Sequence, residues 1–421
     1  MNKTIFIPKL VLLNLAAILI VFVIIGCAEN TVLPEDLVQD PDLNAVIRRE
    51  LGLQKNDTLS RDQLLKLVRL DAEGNLGMGK IPFAGFRVRI HSLEGIEHAE
   101  NLKILSLDRN EDLSDLTPLG DLKSLEVLSA EFNLISDISP MAGLSELLEL
   151  RLSVNEIDDL SPLSQLSKLV VLGLSDNRIS SIDPLSELQL RELNLQNNLI
   201  ININPLSSNV NLTKLDLSRT DIEDIAVIAG IIGLTELDIS TNQISIVPDL
   251  RNLQNLKQLN LANNHIAKFV IAGNLESLER LNISNNQLTE FDSIHYLPAL
   301  TYIDLRSNQI ADCSGLNGHA GLRELFLKSN QIQSLPADII LPSLTYLDLS
   351  DNKISEIVPL SSLNKVTLLR LNDNLIKDFS PLLELPELKT VYITNNLFID
   401  DQPDFKAFLE QMERKGVSVI F

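Results

Sequence analysis

The 421-residue sequence predicts an α/β solenoid, in which one short strand and one turn segment repeat along the chain. Three observations support this fold class. The pattern Leu-x-x-Leu-x-Leu-x-x-Asn recurs at a nearly constant interval. Each copy is followed by a second, equally regular half, which contains residues that favour turns and helix starts. Aromatic residues make up only 4% and Trp is absent, so Leu, Ile and Val must build the core. We therefore expect stacked coils that share one aliphatic core.

The last position of the pattern is a polar residue that turns the chain out of the strand, and we name this column the asparagine ladder. Its members are Asn110, Asn133, Asn155, Asn177, Asn198, Thr220, Asn242, Asn264, Asn286, Asn308, Asn330, Asn352, Asn374 and Asn396. The steps are 23, 22, 22, 21 and then 22 residues throughout. An amide both donates and accepts, so it can satisfy backbone groups that the turn removes from the sheet. Thr220 lacks an amide and predicts a locally weaker coil.

The second half of each unit places Ser before Pro, as in Ile135–Met141 and Ile157–Leu163. Ser is predicted to act as the N-cap, and Pro to occupy the first turn, of a short 3₁₀ or helical segment. A unit of 22 residues leaves no room for a longer helix. Together the two halves resemble the internalin-like class of bacterial leucine-rich repeats over about residues 93–400. The resemblance implies a curved parallel sheet on the concave face and 3₁₀ turns on the convex face.

The two ends of the solenoid need caps, because the terminal coils would otherwise expose their edges. Residues 41–92 are predicted to form an N-terminal helical cap with a glycine-rich insertion, and Asp42 and Ser60 are the candidate N-caps of its two helices. Residues 401–421 are predicted to form a C-terminal cap. This cap contains a helix over 404–415 and then a last strand.

Residues 1–26 have the layout of a secretory signal, with two lysines followed by the apolar run 10–25. The run ends before Cys27 in a sequence that resembles the lipobox of bacterial lipoproteins. The resemblance implies that Cys27 carries the lipid and that residues 27–40 form a tether. Ala28 follows the cysteine instead of Asp, which favours the outer membrane or the cell surface. An uncleaved membrane anchor is the alternative, although the run is shorter than the roughly 20 residues of a spanning helix.

The overall charge and the scarcity of reactive residues exclude several classes of function. Acidic residues outnumber basic ones by 57 to 35, which gives a net charge of −22 and disfavours nucleic-acid binding. Two cysteines and five histidines argue against a disulfide scaffold, a metal site or any cofactor. Residues 74–80 match a phosphate-binding loop, but Ile81 stands where Ser or Thr should bind magnesium. We interpret this segment as an insertion loop.

Other candidate residues for chemistry have simpler explanations in the repeat. Cys313 occupies the same position in its coil as Phe379, which predicts that it packs in the core. Aspartates recur between the strand leucines and predict a solvated polar row on the concave face, with members Asp216, Asp238, Asp304 and Asp348. A uniform row does not provide two carboxylates in unlike environments, so we expect no catalysis.

The concave face departs from its small polar residues in the last third of the repeats. The candidate partner-binding residues are Tyr302, Phe326, Tyr346, Leu368, Arg370 and Tyr392. Aromatic residues with Arg are typical of binding hot spots. We expect a protein partner first and a glycan second, with Asp304, Asp348 and Arg306 forming a charged rim. Two alternatives are cross-strand stacking that only stabilises the sheet, and an envelope spacer with no specific ligand.

Overall fold

A computed structural model describes residues 33, 35–74, 88–271, 273–291, 296–398 and 402–421. The predicted signal peptide, the lipidation site Cys27 and nearly all of the glycine-rich insertion lie outside these residues. The chain divides into two compact units, unit 1 over residues 1–157 and unit 2 over residues 158–421. Within the described ranges, no helix has the length and apolar character that crossing a membrane requires.

The strands are three residues long and follow one another in chain order. In unit 1 they are β1 Arg69–Asp71, β2 Ile104–Ser106, β3 Val127–Ser129 and β4 Glu149–Arg151. In unit 2 they are β5 Val171–Gly173, β6 Glu192–Asn194, β7 Lys214–Asp216, β8 Glu236–Asp238, β9 Gln258–Asn260, β10 Arg280–Asn282, β11 Tyr302–Asp304, β12 Glu324–Phe326, β13 Tyr346–Asp348, β14 Leu368–Arg370, β15 Thr390–Tyr392 and β16 Ser418–Ile420.

Neighbouring strands within each unit pair in parallel and in register, so equivalent residues of successive coils stand side by side. Leu281, for example, lies between Leu259 and Ile303. In β1 to β15 the central residue is buried, and its two neighbours face the other side of the sheet. Parallel strands that share an aliphatic core confirm the predicted α/β solenoid.

Short 3₁₀ segments occupy the opposite side of the coils, as predicted. They include Ile96–His98, Thr117–Asp121, Ser139–Gly143, Ser161–Leu163, Asp183–Leu185, Asn204–Ser208, Ala226–Gly230, Ser314–Leu316, Val358–Ser362 and Ser380–Glu384. The prediction that Ser caps these segments is wrong, because the acceptor is an aspartate two residues earlier. Asp159 Oδ1 accepts the backbone N–H of Ser161 at 2.8 Å, and Asp137 does the same for Ser139. Hydrogen bonds from the Ser161 backbone and side chain lower the pKa of Asp159.

The asparagine ladder binds backbone groups of its own coil and of the preceding coil. Asn264 Nδ2 lies 3.0 Å from the carbonyl oxygen of Ile239, 3.0 Å from that of Leu261 and 3.2 Å from that of Ala262. Its Oδ1 accepts the N–H of Ile244 at 3.0 Å. One amide therefore satisfies polar groups that would otherwise be buried without partners, as the sequence predicted.

Thr220 provides fewer of these bonds. Its hydroxyl oxygen lies 2.9 Å from the carbonyl oxygen of Leu217 and 2.6 Å from Asn242 Oδ1, and one hydroxyl hydrogen must serve both. Ile200 corresponds to Ile244, which lies two units further on. Ile200 is fully buried and has no ladder amide to receive its N–H. The coil at Thr220 thus lacks an intercoil bond that its neighbours make.

The residue before each ladder position adopts the left-handed region, which the sequence did not predict. The φ angles lie between 53° and 62° from Arg109 to Asn395, and none of these residues is Gly. Val154 (φ 58°) and Thr241 (φ 57°) are β-branched, and such side chains rarely adopt this conformation. The turn that places the ladder amide therefore stores backbone strain, which the amide hydrogen bonds offset.

Helices and a final strand occupy the ends of the described chain. The α-helices are α1 Pro41–Glu50, α2 Arg61–Leu64 and α3 Pro403–Arg414. The assignment of Asp42 as the N-cap of α1 is wrong, because Asp40 Oδ1 accepts the N–H groups of Asp42 and Leu43 at 3.0 and 2.9 Å. Ser60 precedes α2 as predicted, but its side chain makes no capping hydrogen bond. The domain boundaries given above remain predictions.

Candidate binding surface

Six residues on the solvent-facing side of β11 to β15 form what we call the aromatic patch. They are Tyr302, Phe326, Tyr346, Leu368, Arg370 and Tyr392. All six side chains are half-buried. The strand register places them in two neighbouring columns, Tyr302–Glu324–Tyr346–Leu368–Thr390 and Asp304–Phe326–Asp348–Arg370–Tyr392. The residues that the sequence singled out thus lie on one surface.

Three aromatic rings of the patch contact one another across the strands. The centroids of Tyr302 and Phe326 are 5.3 Å apart at an interplanar angle of 48°, and those of Phe326 and Tyr346 are 4.8 Å apart at 34°. Tilted rings at these separations attract each other beyond simple area burial. These contacts are the ones that the alternative of cross-strand stacking requires. The same rings also present a continuous apolar surface.

Arginines alternate with these rings. The Cζ-to-centroid distances are 3.9 Å for Arg280 over Tyr302, 5.2 Å for Arg306 over Phe326 and 4.4 Å for Arg370 over Tyr392. A guanidinium over a ring face gains cation–π attraction and loses mobility. The patch is consequently a fixed row of aromatic and cationic groups. Arg280 is an addition to the residues that the sequence had proposed, whereas Arg306 had been proposed for the rim.

The expected charged rim is wrong for its two aspartates, which are buried beneath the rings. Asp304 is 0% exposed, and both of its carboxylate oxygens receive Arg306 Nε, at 2.9 and 3.0 Å. Asp348 is 6% exposed and accepts the N–H of Ser350 at 3.0 Å. Arg306 remains exposed. The outward-facing charge of the patch is therefore more cationic than the sequence indicated.

The aspartates of β7 and β8 are less buried than Asp304 and Asp348. Asp216 and Asp238 are half-buried and stand side by side on β7 and β8. Asp216 Oδ1 accepts both the backbone N–H and the hydroxyl of Ser218, at 2.9 and 2.7 Å. Burial raises the pKa of Asp216, and the charge of Asp238 adds to this shift against the Ser218 hydrogen bonds. These carboxylates shape the strand exit, so the prediction of a freely solvated row needs correction.

Burial also shifts the pKa of two tyrosines of the patch. It raises the pKa of Tyr302 and of Tyr346, and the nearby carboxylates Asp304 and Asp348 raise them further, against opposing effects of the arginines. Both phenols are therefore neutral at physiological pH. Each can donate a hydrogen bond to a bound partner.

Cys313 lies in the core, as predicted. It is 7% exposed, and burial raises the pKa of its thiol to about 11. Phe269 and Phe291 occupy the equivalent position in earlier coils and stack with their centroids 5.9 Å apart. No group of three or more His, Cys, Asp or Glu side chains in the described part of the chain is placed to hold a metal ion.

Two family models match parts of the repeat region. The model described as Leucine Rich repeats (2 copies) matches residues 145–187, 232–273, 276–318 and 321–363, and the model described as Leucine Rich repeat matches residues 208–229. The fold is therefore that of a leucine-rich-repeat solenoid. A search of curated protein sequences finds no match.

Two solved bacterial structures are similar to this chain. An internalin from Listeria monocytogenes is 26% identical, covers 87% of this chain and 98% of its own, and superposes with a TM-score of 0.67. A leucine-rich-repeat protein from Leptospira interrogans is 24% identical over 87% of this chain and 99% of its own, with a TM-score of 0.66.

A plant receptor shares the fold as well. The ectodomain of the Arabidopsis thaliana receptor kinase GASSHO1/SCHENGEN3, in complex with CASPARIAN STRIP INTEGRITY FACTOR 2, is 24% identical. The match covers 72% of this chain and 40% of that one, with a TM-score of 0.61. At this identity, the Leptospira and plant structures support the fold alone.

Proposed function

We propose that this protein is an exported, lipid-anchored recognition protein of the cell envelope that binds another protein through the aromatic patch, without catalysis. The observation that carries the proposal is the unbroken row of rings and guanidinium groups over β11 to β15. Aromatic and arginine side chains dominate the binding energy of protein interfaces. The equivalent positions of β6 to β9 hold only polar and charged residues and no aromatic ring, and such residues rarely anchor a partner.

The leucine-rich-repeat fold is compatible with a recognition role. The plant receptor ectodomain that shares the fold is in complex with CASPARIAN STRIP INTEGRITY FACTOR 2. A fold of this kind does not specify its ligand, so the argument for a site must come from particular residues. The aromatic patch supplies those residues here.

Photo-cross-linking on intact cells tests the proposed surface. A photoreactive phenylalanine analogue replaces Tyr346 in one variant and Gln258 in the control, because Gln258 occupies the equivalent position on β9. We expect the Tyr346 variant to capture a protein that the Gln258 variant does not. Equal capture by both variants, or capture by neither, would contradict a protein-binding site at the patch.

The lipid anchor has its own test, since the chain contains only two cysteines. Cys27→Ala should abolish the incorporation of labelled palmitate, because the proposed acceptor thiol is removed. Cys313→Ala is the matched control and should keep the label, because that thiol is buried. Equal labelling of Cys27→Ala and the parent would refute lipidation at Cys27.

A further inference from the structure

Arg370 combines a charge that has no carboxylate partner among the described residues with a buried Nε that makes no hydrogen bond. Arg306 binds both oxygens of Asp304, and Arg151, which has the same position in its coil as Arg370, lies 2.5 Å from Glu149. Within the described residues, Arg370 forms no ion pair, and its Nε is buried without a hydrogen-bond partner. A buried donor left unpaired costs free energy, so this arrangement calls for an explanation.

Two tyrosines hold the Arg370 guanidinium in place. Its Cζ lies 4.4 Å from the ring centroid of Tyr392. On the other side, its charge and a hydrogen bond to the Tyr346 phenol oppose the rise in the pKa of Tyr346 that burial causes. A guanidinium fixed in this way loses little entropy when it binds a ligand. Because Nε is covered, the two terminal nitrogens are the donors that remain for a partner.

The surroundings of Arg370 favour an acidic group from outside the chain. Asp348 stands opposite Arg370 in the strand register, but it is buried and makes no ion pair with it. Asp304 is already bound to Arg306. Apolar side chains, Phe326 and Leu368, flank the site, and a charge-assisted hydrogen bond is stronger where water is partly excluded.

We propose that Arg370 binds a carboxylate of the partner protein, supplied by an Asp or Glu side chain or by a chain terminus, while a neighbouring apolar residue of the partner packs on Phe326 and Leu368. This inference rests on the proposed function and specifies its chemistry. A protein is favoured over an acidic glycan because sugar rings stack on aromatic faces. One face of Tyr392 is covered by Arg370, and one face of Tyr302 by Arg280.

The test uses the full chain in detergent and short random peptides displayed on phage. We expect the selected peptides to share an acidic residue beside an apolar one. For a selected peptide, Arg370→Gln should weaken binding at least about tenfold, because the charged donor is lost. Arg370→Lys should weaken it less, since the charge remains without the planar stack. Arg151→Gln is the matched control and should bind as the parent does. Thermal melts of all variants confirm that each one is folded.

Each other outcome separates this inference from the proposed function. If Tyr346→Ala abolishes peptide binding and Arg370→Gln does not, the aromatic patch binds but the assignment of Arg370 is wrong. Selected peptides without acidic residues would overturn it too. If neither variant changes binding, the patch itself is not the site. Binding of acidic oligosaccharides that depends on Arg370, with no peptide selected, would show that a glycan supplies the carboxylate.

Discussion

The asparagine ladder and the solvent-facing side of the strands are built from the same coils but obey opposite rules. In the ladder, one side chain makes the same set of hydrogen bonds in coil after coil, as at Asn242, Asn264 and Asn286. On the strand face, the residue at one equivalent position changes along the sheet, from Asp238 and Asn260 in the middle to Phe326 and Tyr392 further on. Repetition therefore maintains the fold, and departures from repetition are where recognition can reside.

The largest effect should come from breaking the ladder. Asn264→Ala leaves the N–H of Ile244 and two or more carbonyl groups without their partner, at about 1–3 kcal/mol for each buried group left unsatisfied. We expect about 3 kcal/mol of lost stability in urea denaturation. Gln258→Ala, on the exposed face of the same coil, should change the stability by less than about 0.5 kcal/mol. Similar losses for the two variants would contradict the comparison.

A substitution on the solvent-facing side of the strands should lower the binding affinity more than the stability. Tyr346→Ala removes the ring that contacts Phe326 and should cost about 2 kcal/mol of binding to the partner captured by cross-linking. Asp238→Ala, on the polar part of the same sheet, should cost much less. Titration of the purified partner against both variants measures the difference. If Tyr346→Ala leaves the affinity unchanged and Asp238→Ala lowers it, the binding site lies on the middle strands instead.

Adding an amide at Thr220, the ladder position that has none, should sharpen the comparison. Thr220→Asn gives Ile200 an amide oxygen for its N–H, and we expect a gain of about 1 kcal/mol in the urea midpoint analysis. Thr220→Val, which removes the hydroxyl without changing the shape of the side chain, should lower the stability. If Thr220→Asn proves less stable than the parent, the coil at Thr220 is organised differently from its neighbours.

The smallest expected effect concerns the left-handed residues that precede the ladder. Val154→Asn should stabilise unit 1 by about 0.5 kcal/mol, because Asn tolerates positive φ better than a β-branched residue. The reverse exchange, Asn263→Val, should lower the stability by about 1 kcal/mol at a position with φ 56°. Thermal denaturation of both variants measures this pair. Shifts of the same sign would show that φ does not decide the outcome.

The period of the sequence was sufficient to predict the solenoid, the ladder and the buried position of Cys313. It was not sufficient to predict the burial of Asp304, because Asp216 has the same place in its own repeat. Asp304 is bound through both oxygens by Arg306, whereas Asp216 is bound through one oxygen by Ser218. This pairing depends on side-chain rotamers, which the repeat pattern does not record.

The membership of the aromatic patch was also predictable, whereas its electrostatics were not. Arg306 and Arg370 both lie near a strand aspartate, yet only Arg306 pairs with one. That choice depends on side-chain rotamers and on which ring is available for stacking. The N-caps were missed for a related reason. Asp40 and Asp159 cap their segments because the local backbone brings N–H groups to their carboxylates.

The coil at Thr220 has a mechanical consequence. In a stack of coils, each ladder amide ties its coil to the preceding one, so tension along the stack is resisted by these ties in series. The rung at Thr220 lacks the tie that Ile200 would make. Because ties in series carry the same tension, the weaker rung at Thr220 should yield before the regular rungs of unit 2. Residues 198–220 are where extension of unit 2 under force should begin.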